Sequence, residues 1–197
     1  MKPVTSKTVK KRLAAAVMLA AMTPLVRAGD LSRDKPVSDF AVVDMRGQLQ
    51  YRSLTGSVTV VMFFSTRCPM SNAFNHRRNQ LYHDYQNRVH FIVIDSNSNE
   101  SIDEVRTYAK DAEFDFPVYR DLGSNAADLF GVRNTTESFV IDTAGVIRYR
   151  GYIEDAPNPE RTTKQGLRLA IEAVLAGQPV VTPETKGIGC AIRRAHQ

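Results

Sequence analysis

The stretch Val58-Thr59-Val60-Val61-Met62-Phe63-Phe64-Ser65-Thr66-Arg67-Cys68-Pro69-Met70-Ser71 passes from an unbroken apolar run to a cysteine and a proline. A β-branched and aromatic run without polar alternation suits a central strand covered on both faces. Pro69 suits the first turn of a helix, where its missing N–H leaves no bond unmade. Cys68 therefore stands where a buried strand hands over to a helix. Working outward, residues 69–86 carry an apolar stripe at helical spacing (Met70, Phe74, Leu81, Tyr82, Tyr85), and residues 89–95 form a second apolar strand. Ser101 followed by Glu104 is a capping-box pattern and predicts a helix to about residue 112. Residues 117–119 are extended, residues 125–130 form a short helix stopped by Gly131, and residues 160–176 form a last helix stopped by Gly177. Residues 138–142 and 146–152 flank Thr143-Ala144-Gly145 as a hairpin, and residues 40–43 and 48–54 flank Asp44-Met45-Arg46-Gly47 as an opening one. The order β-hairpin, β-α-β-α-β-α, β-hairpin, α predicts an α/β domain. Its central mixed sheet should be flanked by helices and extended by an N-terminal β-hairpin.

The 197 residues carry a formal charge of +5, and this basicity belongs to one end. Lys2, Lys7, Lys10, Lys11, Arg12 and Arg27 all lie within residues 1–28, where there is no acidic side chain; removing these six leaves 20 basic against 21 acidic groups. A nucleic-acid partner loses its electrostatic support, because neutralising phosphates needs a basic face on the folded domain. Residues 1–28 read as a secretory signal peptide. A cationic stretch precedes the apolar run 13–26, and Val26-Arg27-Ala28 places a cleavage point after Ala28. As a helix that run reaches about 21 Å, short of a bilayer core of about 30 Å, so a membrane association is expected only if the leader stays attached. The expected organisation is signal peptide 1–28, domain 29–177, and a tail 178–197 that carries Cys190, in a periplasmic or secreted protein.

Two cysteines, Cys68 and Cys190, belong to this exported chain. Unpaired amides and the positive end of a helix dipole favour an anion at the Cys68 position, so its thiol should ionise readily. A thiolate is the form that attacks a peroxide or a disulfide. Arg67 adjoins it, and Ser65 precedes it by three residues. Cys190 lies 122 residues downstream in a glycine-loosened tail expected to swing towards Cys68. A permanent link across such a loop would stabilise by roughly 4–5 kcal/mol in the chain-entropy account.

Over residues 36–176 the sequence resembles the thioredoxin-like redoxins of the alkyl hydroperoxide reductase and thiol-specific antioxidant superfamily. It is most similar to a bacterial peroxiredoxin-like subgroup, on Cys68-Pro69, Asn97-Ser98-Asn99 and Gly189-Cys190. The resemblance implies a thioredoxin-like fold. It also implies a thiol peroxidase or thiol-disulfide oxidoreductase in which Cys68 is attacked or attacks, with Cys190 as a second sulfur. Its partners would be a peroxide or a disulfide and a thiol electron donor, with no cofactor and no metal. The departures matter. Ser71 stands where thioredoxins carry their second cysteine, and Thr135-Thr136-Glu137 stands where they carry a cis-proline, which puts a thioredoxin-style peptide groove in doubt. Ser65 matches the peroxiredoxin hydroxyl position while Val61 replaces the proline, and the peroxidase arginine has three candidates, Arg133, Arg148 and Arg150.

The plainer expectations are these. Asp95, Asn97 and Asn99 lie beyond a core strand and read as loop-capping groups. Arg77-Arg78 read as a solvated helix face. His83, His90 and His196 show no ligand spacing. A different class of function is a soft-metal carrier, with thiolate Cys68 and His76 as the copper ligands to test first. A third is a redox-inactive interaction domain that keeps the scaffold.

Overall fold

The computed structural model describes residue 1 and residues 36–195. Apart from Met1, the leader and cleavage point expected over residues 1–28, and His196, lie outside the described residues. The chain runs β1 (Phe40–Asp44), β2 (Leu49–Arg52), β3 (Thr59–Phe64), α1 (Pro69–Asn72), α2 (Asn75–Tyr85), β4 (His90–Asp95), α3 (Ile102–Asp111), β5 (Val118–Arg120), α4 (Asn125–Leu129), β6 (Ser138–Ile141), β7 (Ile147–Gly151) and α5 (Gly166–Leu175).

The strands form one seven-stranded mixed sheet in the order β2-β1-β5-β4-β3-β6-β7. β3, β4 and β5 are parallel, and each hairpin attaches antiparallel at one flank, β1 on β5 and β6 on β3. All six residues of β3 are buried. Val60, Met62 and Phe64 face one cluster with Leu81 and Tyr85 of α2, Val105 of α3, and Leu167 and Ile171 of α5. Val61 and Phe63 face the other with Ala126 and Ala127 of α4, Phe130, and Ile192 from the tail. The unbroken apolar run is thus explained by two covered faces. It is also explained that a tail residue helps to close the core.

The helix expected over residues 69–86 is two helices, interrupted at Ala73 and Phe74. The interruption seats Phe74, fully buried, in the first cluster. The helix expected from residue 160 begins at Gly166, because Asp155 holds the preceding segment in another conformation. One of its oxygens accepts from the Thr163 and Lys164 amides, and the other accepts from the Thr163 hydroxyl. Asn158 caps a single 3-10 turn over Pro159–Arg161. Ser101 caps α3 by accepting from the Glu104 amide at 3.2 Å, but the Glu104 carboxylate does not complete the box; it turns to Arg67. Among the described residues no helix is long and apolar enough to cross a membrane.

Candidate active site

β3 and β4 end side by side, so the loops after Phe64 and after Asp95 share one rim of the sheet, the usual place for a site in a parallel α/β layer. Cys68 is the N-cap residue of α1, in extended conformation, with Pro69 at the first helical position. It is 2% exposed. Because α1 is a single turn, the amide dipole behind Cys68 is smaller than a continuous helix over residues 69–86 would provide.

Cys68 and Cys190 are joined as a disulfide, with Cα atoms 6.0 Å apart. Cys190 is the exposed partner, and its own N–H donates to the Cys68 sulfur at 3.3 Å. The tail is not loose. Residues 188–192 lie along the loop 133–136. The Thr135 amide donates to the Cys190 carbonyl and the Ile192 amide to the Arg133 carbonyl, at 3.0 and 3.1 Å, while the Thr136 hydroxyl donates to the Ile188 carbonyl. On the far side the Ser98 amide donates to the Arg193 carbonyl, and the Arg193 amide donates to Oδ1 of Asn97. Arg194 pairs with Asp128 at 3.0 Å and donates to the Val132 carbonyl, and Ile192 is 7% exposed. The glycines serve close approach, not looseness: a Cβ on Gly187 would stand 2.6 Å from Cγ of Glu137, and one on Gly189 3.0 Å from the Thr135 hydroxyl. Gly187→Ala should therefore push the tail off its track at roughly 1–3 kcal/mol, lowering the effective concentration of Cys190 beside Cys68 about 5- to 150-fold. Equilibration of the disulfide against glutathione buffers measures this directly.

The Ser65 hydroxyl and the Arg67 guanidinium are each taken up by a carboxylate. Ser65 donates to Oε1 of Glu100 at 2.5 Å, and Arg67 forks onto Glu104 at 2.6 and 2.8 Å. Arg148 pairs with Asp142 at 2.6 Å. Arg150 binds the Gly131 carbonyl and Glu137, and Arg133 is exposed. His76 is exposed on α2, and the disulfide engages the sulfur that a metal would need; among the described residues no group of three His, Cys, Asp or Glu side chains gathers as a metal site.

Three buried groups organise the site; Asp95, expected as a loop-capping group, does cap its loop, its Oδ1 accepting from the Asn97 amide at 2.8 Å. Glu100, 3% exposed, holds the loop before Cys68: it accepts from the Ser65 hydroxyl, the Thr66 amide and the Thr66 hydroxyl. Arg120 and Asp95 form an ion pair at 2.7 Å with 2% and 0% side-chain exposure. Arg120 also donates to the carbonyls of Asp95, Asn97 and Glu100. Oδ2 of Asp95 receives no N–H or O–H from these neighbours. Burial first, and then Glu100 beside it, raise the Asp95 pKa well above its ordinary value. The third group is Arg78, fully buried on α2. The pair Arg77-Arg78, expected on a solvated face, is inside: Arg77 is 8% exposed and pairs with Glu154 at 2.8 Å.

Comparison with known proteins agrees with this architecture. Residues 34–150 match the AhpC/TSA family. The thiol-disulfide oxidoreductase ResA of Halalkalibacterium halodurans is 27% identical over 125 residues, 62% of this chain and 67% of that protein. A crystal structure of a hypothetical protein from Sinorhizobium meliloti 1021 superposes with a TM-score of 0.74 at 26% identity, covering 83% of this chain and 94% of the other. A Chlorobium tepidum structure assigned as the thiol:disulfide interchange protein DsbE shares the fold at a TM-score of 0.60 and 21% identity, over 72% of this chain and 96% of that one. With a central mixed sheet, flanking helices and a cysteine at the strand-to-helix junction, this thioredoxin-like chain belongs to the AhpC/TSA family of redoxins.

Proposed function

We propose that this chain is an exported thiol-disulfide oxidoreductase whose redox couple is Cys68–Cys190. The observation that carries the reading is the disulfide itself: the cysteine of the redoxin site is bonded to a tail cysteine that at least six polar contacts and a buried isoleucine hold in place. The tail supplies the second sulfur that Ser71 does not. Exchange enters at Cys190, the exposed residue of the pair. A thiolate of the partner attacks Cys190, the Cys68–Cys190 bond breaks, and Cys68 leaves with the electron pair as a thiolate. A second partner thiolate then attacks the mixed disulfide and releases Cys190. The partner ends oxidised by two electrons and this protein reduced by two. Run backwards, the same steps reduce a partner's disulfide.

Peroxide reduction would reach the same disulfide through a sulfenic acid on Cys68, condensing with the Cys190 thiol with loss of water. The commitment of Ser65 to Glu100 and of Arg67 to Glu104 favours thiol exchange over that route. The leader read in residues 1–28 supports an exported location. Mass spectrometry of the mature, natively folded protein tests the reading. Dithiothreitol should open the disulfide without unfolding, and oxidised glutathione should restore it. A disulfide that yields only after denaturation would show a static staple and end the proposal.

A further inference from the structure

Arg78 is the buried charge that the exchange steps above leave unused. Its guanidinium is fully buried, yet among the described residues its polar contacts are all neutral: one terminal nitrogen donates to the Ser71 carbonyl at 2.8 Å and to Oδ1 of Asn75 at 3.0 Å, and the other to the Ser71 hydroxyl at 3.1 Å and the Phe63 carbonyl at 3.5 Å. Its Nε has no partner. Burial lowers the Arg78 pKa to about 10, so the group stays cationic at neutral pH. A desolvated cation without an anion is among the costlier things a core can hold.

Ser71 ties this charge to the redox pair. It sits three residues after Cys68 on the same turn, and its hydroxyl accepts from the Ser65 amide at 3.2 Å and donates to the Thr135 carbonyl at 3.3 Å. The Thr135 amide in turn holds the Cys190 carbonyl. Arg78 therefore lies one hydrogen bond from the turn that carries Cys68 and three from Cys190. The other charges around it are already matched: Arg77 by Glu154, Arg67 by Glu104, Arg150 by Glu137, and Asp95 and Glu100 by Arg120 and the loop before Cys68. Tyr108 of α3, whose hydroxyl accepts from Asn75, faces Arg78 from the remaining side.

We infer that Arg78 is a positioning residue for the redox couple, the resident counter-ion of the thiolate that Cys68 becomes when the disulfide opens. This rests on the reading of Cys68–Cys190 as a working couple. In the oxidised protein the cation has no anionic partner among the described residues; attack on Cys190 delivers one on the turn whose Ser71 the guanidinium already holds, with no proton needed. Breaking the bond thereby relieves an unmatched buried charge. The device favours the reduced state, and it takes over the part of the thiolate stabilisation that a one-turn α1 cannot supply.

The test uses the full mature chain. In a Cys190→Ser background, the ultraviolet absorbance of the thiolate is followed against pH. Cys68 should titrate below the free-thiol value of about 8.5. Arg78→Met should raise its pKa by about one unit or more, cutting the thiolate population about tenfold below that pKa, and Arg78→Lys should restore most of the shift. With both cysteines intact, the same tenfold change corresponds to a Cys68–Cys190 potential about 30 mV more reducing in Arg78→Met. An unchanged thiol pKa in Arg78→Met overturns the inference. Should that variant fail to fold, a Cys68 pKa at or above about 8.5 with Arg78 present overturns it equally. The two readings separate cleanly: a couple that cycles with a thiol indifferent to Arg78 sinks this inference alone. A thiol that responds to Arg78 in a protein whose disulfide never cycles sinks the proposed function instead.

Discussion

Replacing Cys68 by serine is expected to convert the protein from a turnover catalyst into a trap. The exposed Cys190 in such a variant still meets partner disulfides, but the mixed disulfide it forms has no internal sulfur to resolve it and accumulates on Cys190. The reciprocal variant, Cys190→Ser, leaves Cys68 at 2% exposure beneath a tail still anchored by Ile192, Arg193 and Arg194. It should react with partner disulfides more slowly by a factor on the order of ten or more, whatever its thiolate content, because access limits attack as much as ionisation does. Both variants should lose catalysed exchange to background. Non-reducing gels with a protein disulfide partner, followed by peptide mass mapping, read which cysteine carries the adduct. Fast, abundant adducts on Cys68 in the Cys190→Ser chain would mean that the tail lifts away on reduction and that Cys68 is the entry point.

This assignment reverses the expectation drawn from sequence, and the reason is physical. The junction of an apolar strand with Cys68-Pro69 was legible, because a run covered on both faces and a proline at the start of a helix each have a strong local signature. Both hairpins were legible from turn chemistry. Exposure of the cysteines was not, since it depends on where the tail 178–197 returns. Gly187 and Gly189 look the same in sequence whether they loosen a chain or let it pass close to Glu137 and Thr135. Arg78 carried a signal that went unread. Phe74, Arg78, Leu81 and Tyr85 fall at i, i+4, i+7 and i+11, so an arginine sat in the middle of an apolar stripe, and all four are buried. Glu100 and Arg120 had no local signature. Their partners lie 20 to 35 residues away in the chain, from the Glu100 carbonyl for Arg120 to the Ser65 hydroxyl for Glu100.

That long-range network is where the largest loss of stability is expected. Arg120→Met removes the only cation paired to Asp95 among the described residues and leaves the carbonyls of Asp95, Asn97 and Glu100 without the donors that now reach them from one guanidinium. Breaking one half of a buried pair costs about 3–5 kcal/mol, a large part of the roughly 5–15 kcal/mol that holds a domain together. The thermal midpoint of a domain this size should fall by roughly 6–20 °C. The sign of the pH dependence follows from Asp95. Burial and Glu100 raise its folded pKa above the ordinary 3.8, so the native state keeps a proton that the unfolded chain has given up. Stability from this group is complete below the unfolded pKa and is lost as pH rises through the folded one. Arg120, followed by the Asn97 amide, pulls the Asp95 pKa back down. Without it the loss extends to higher pH, and the variant's deficit relative to the parent should be greater near pH 8 than near pH 5. Asp95→Asn, which removes the titrating group and keeps its shape, should flatten that slope. Urea unfolding at the two pH values decides the matter, and a deficit independent of pH would place the proton elsewhere than on Asp95. Because Glu100 grips Ser65 and Thr66 from this same cluster, the Arg120→Met chain should also hold Cys68 less firmly against Cys190. Its disulfide should then open at a less reducing potential than the parent's, even at temperatures where it remains folded.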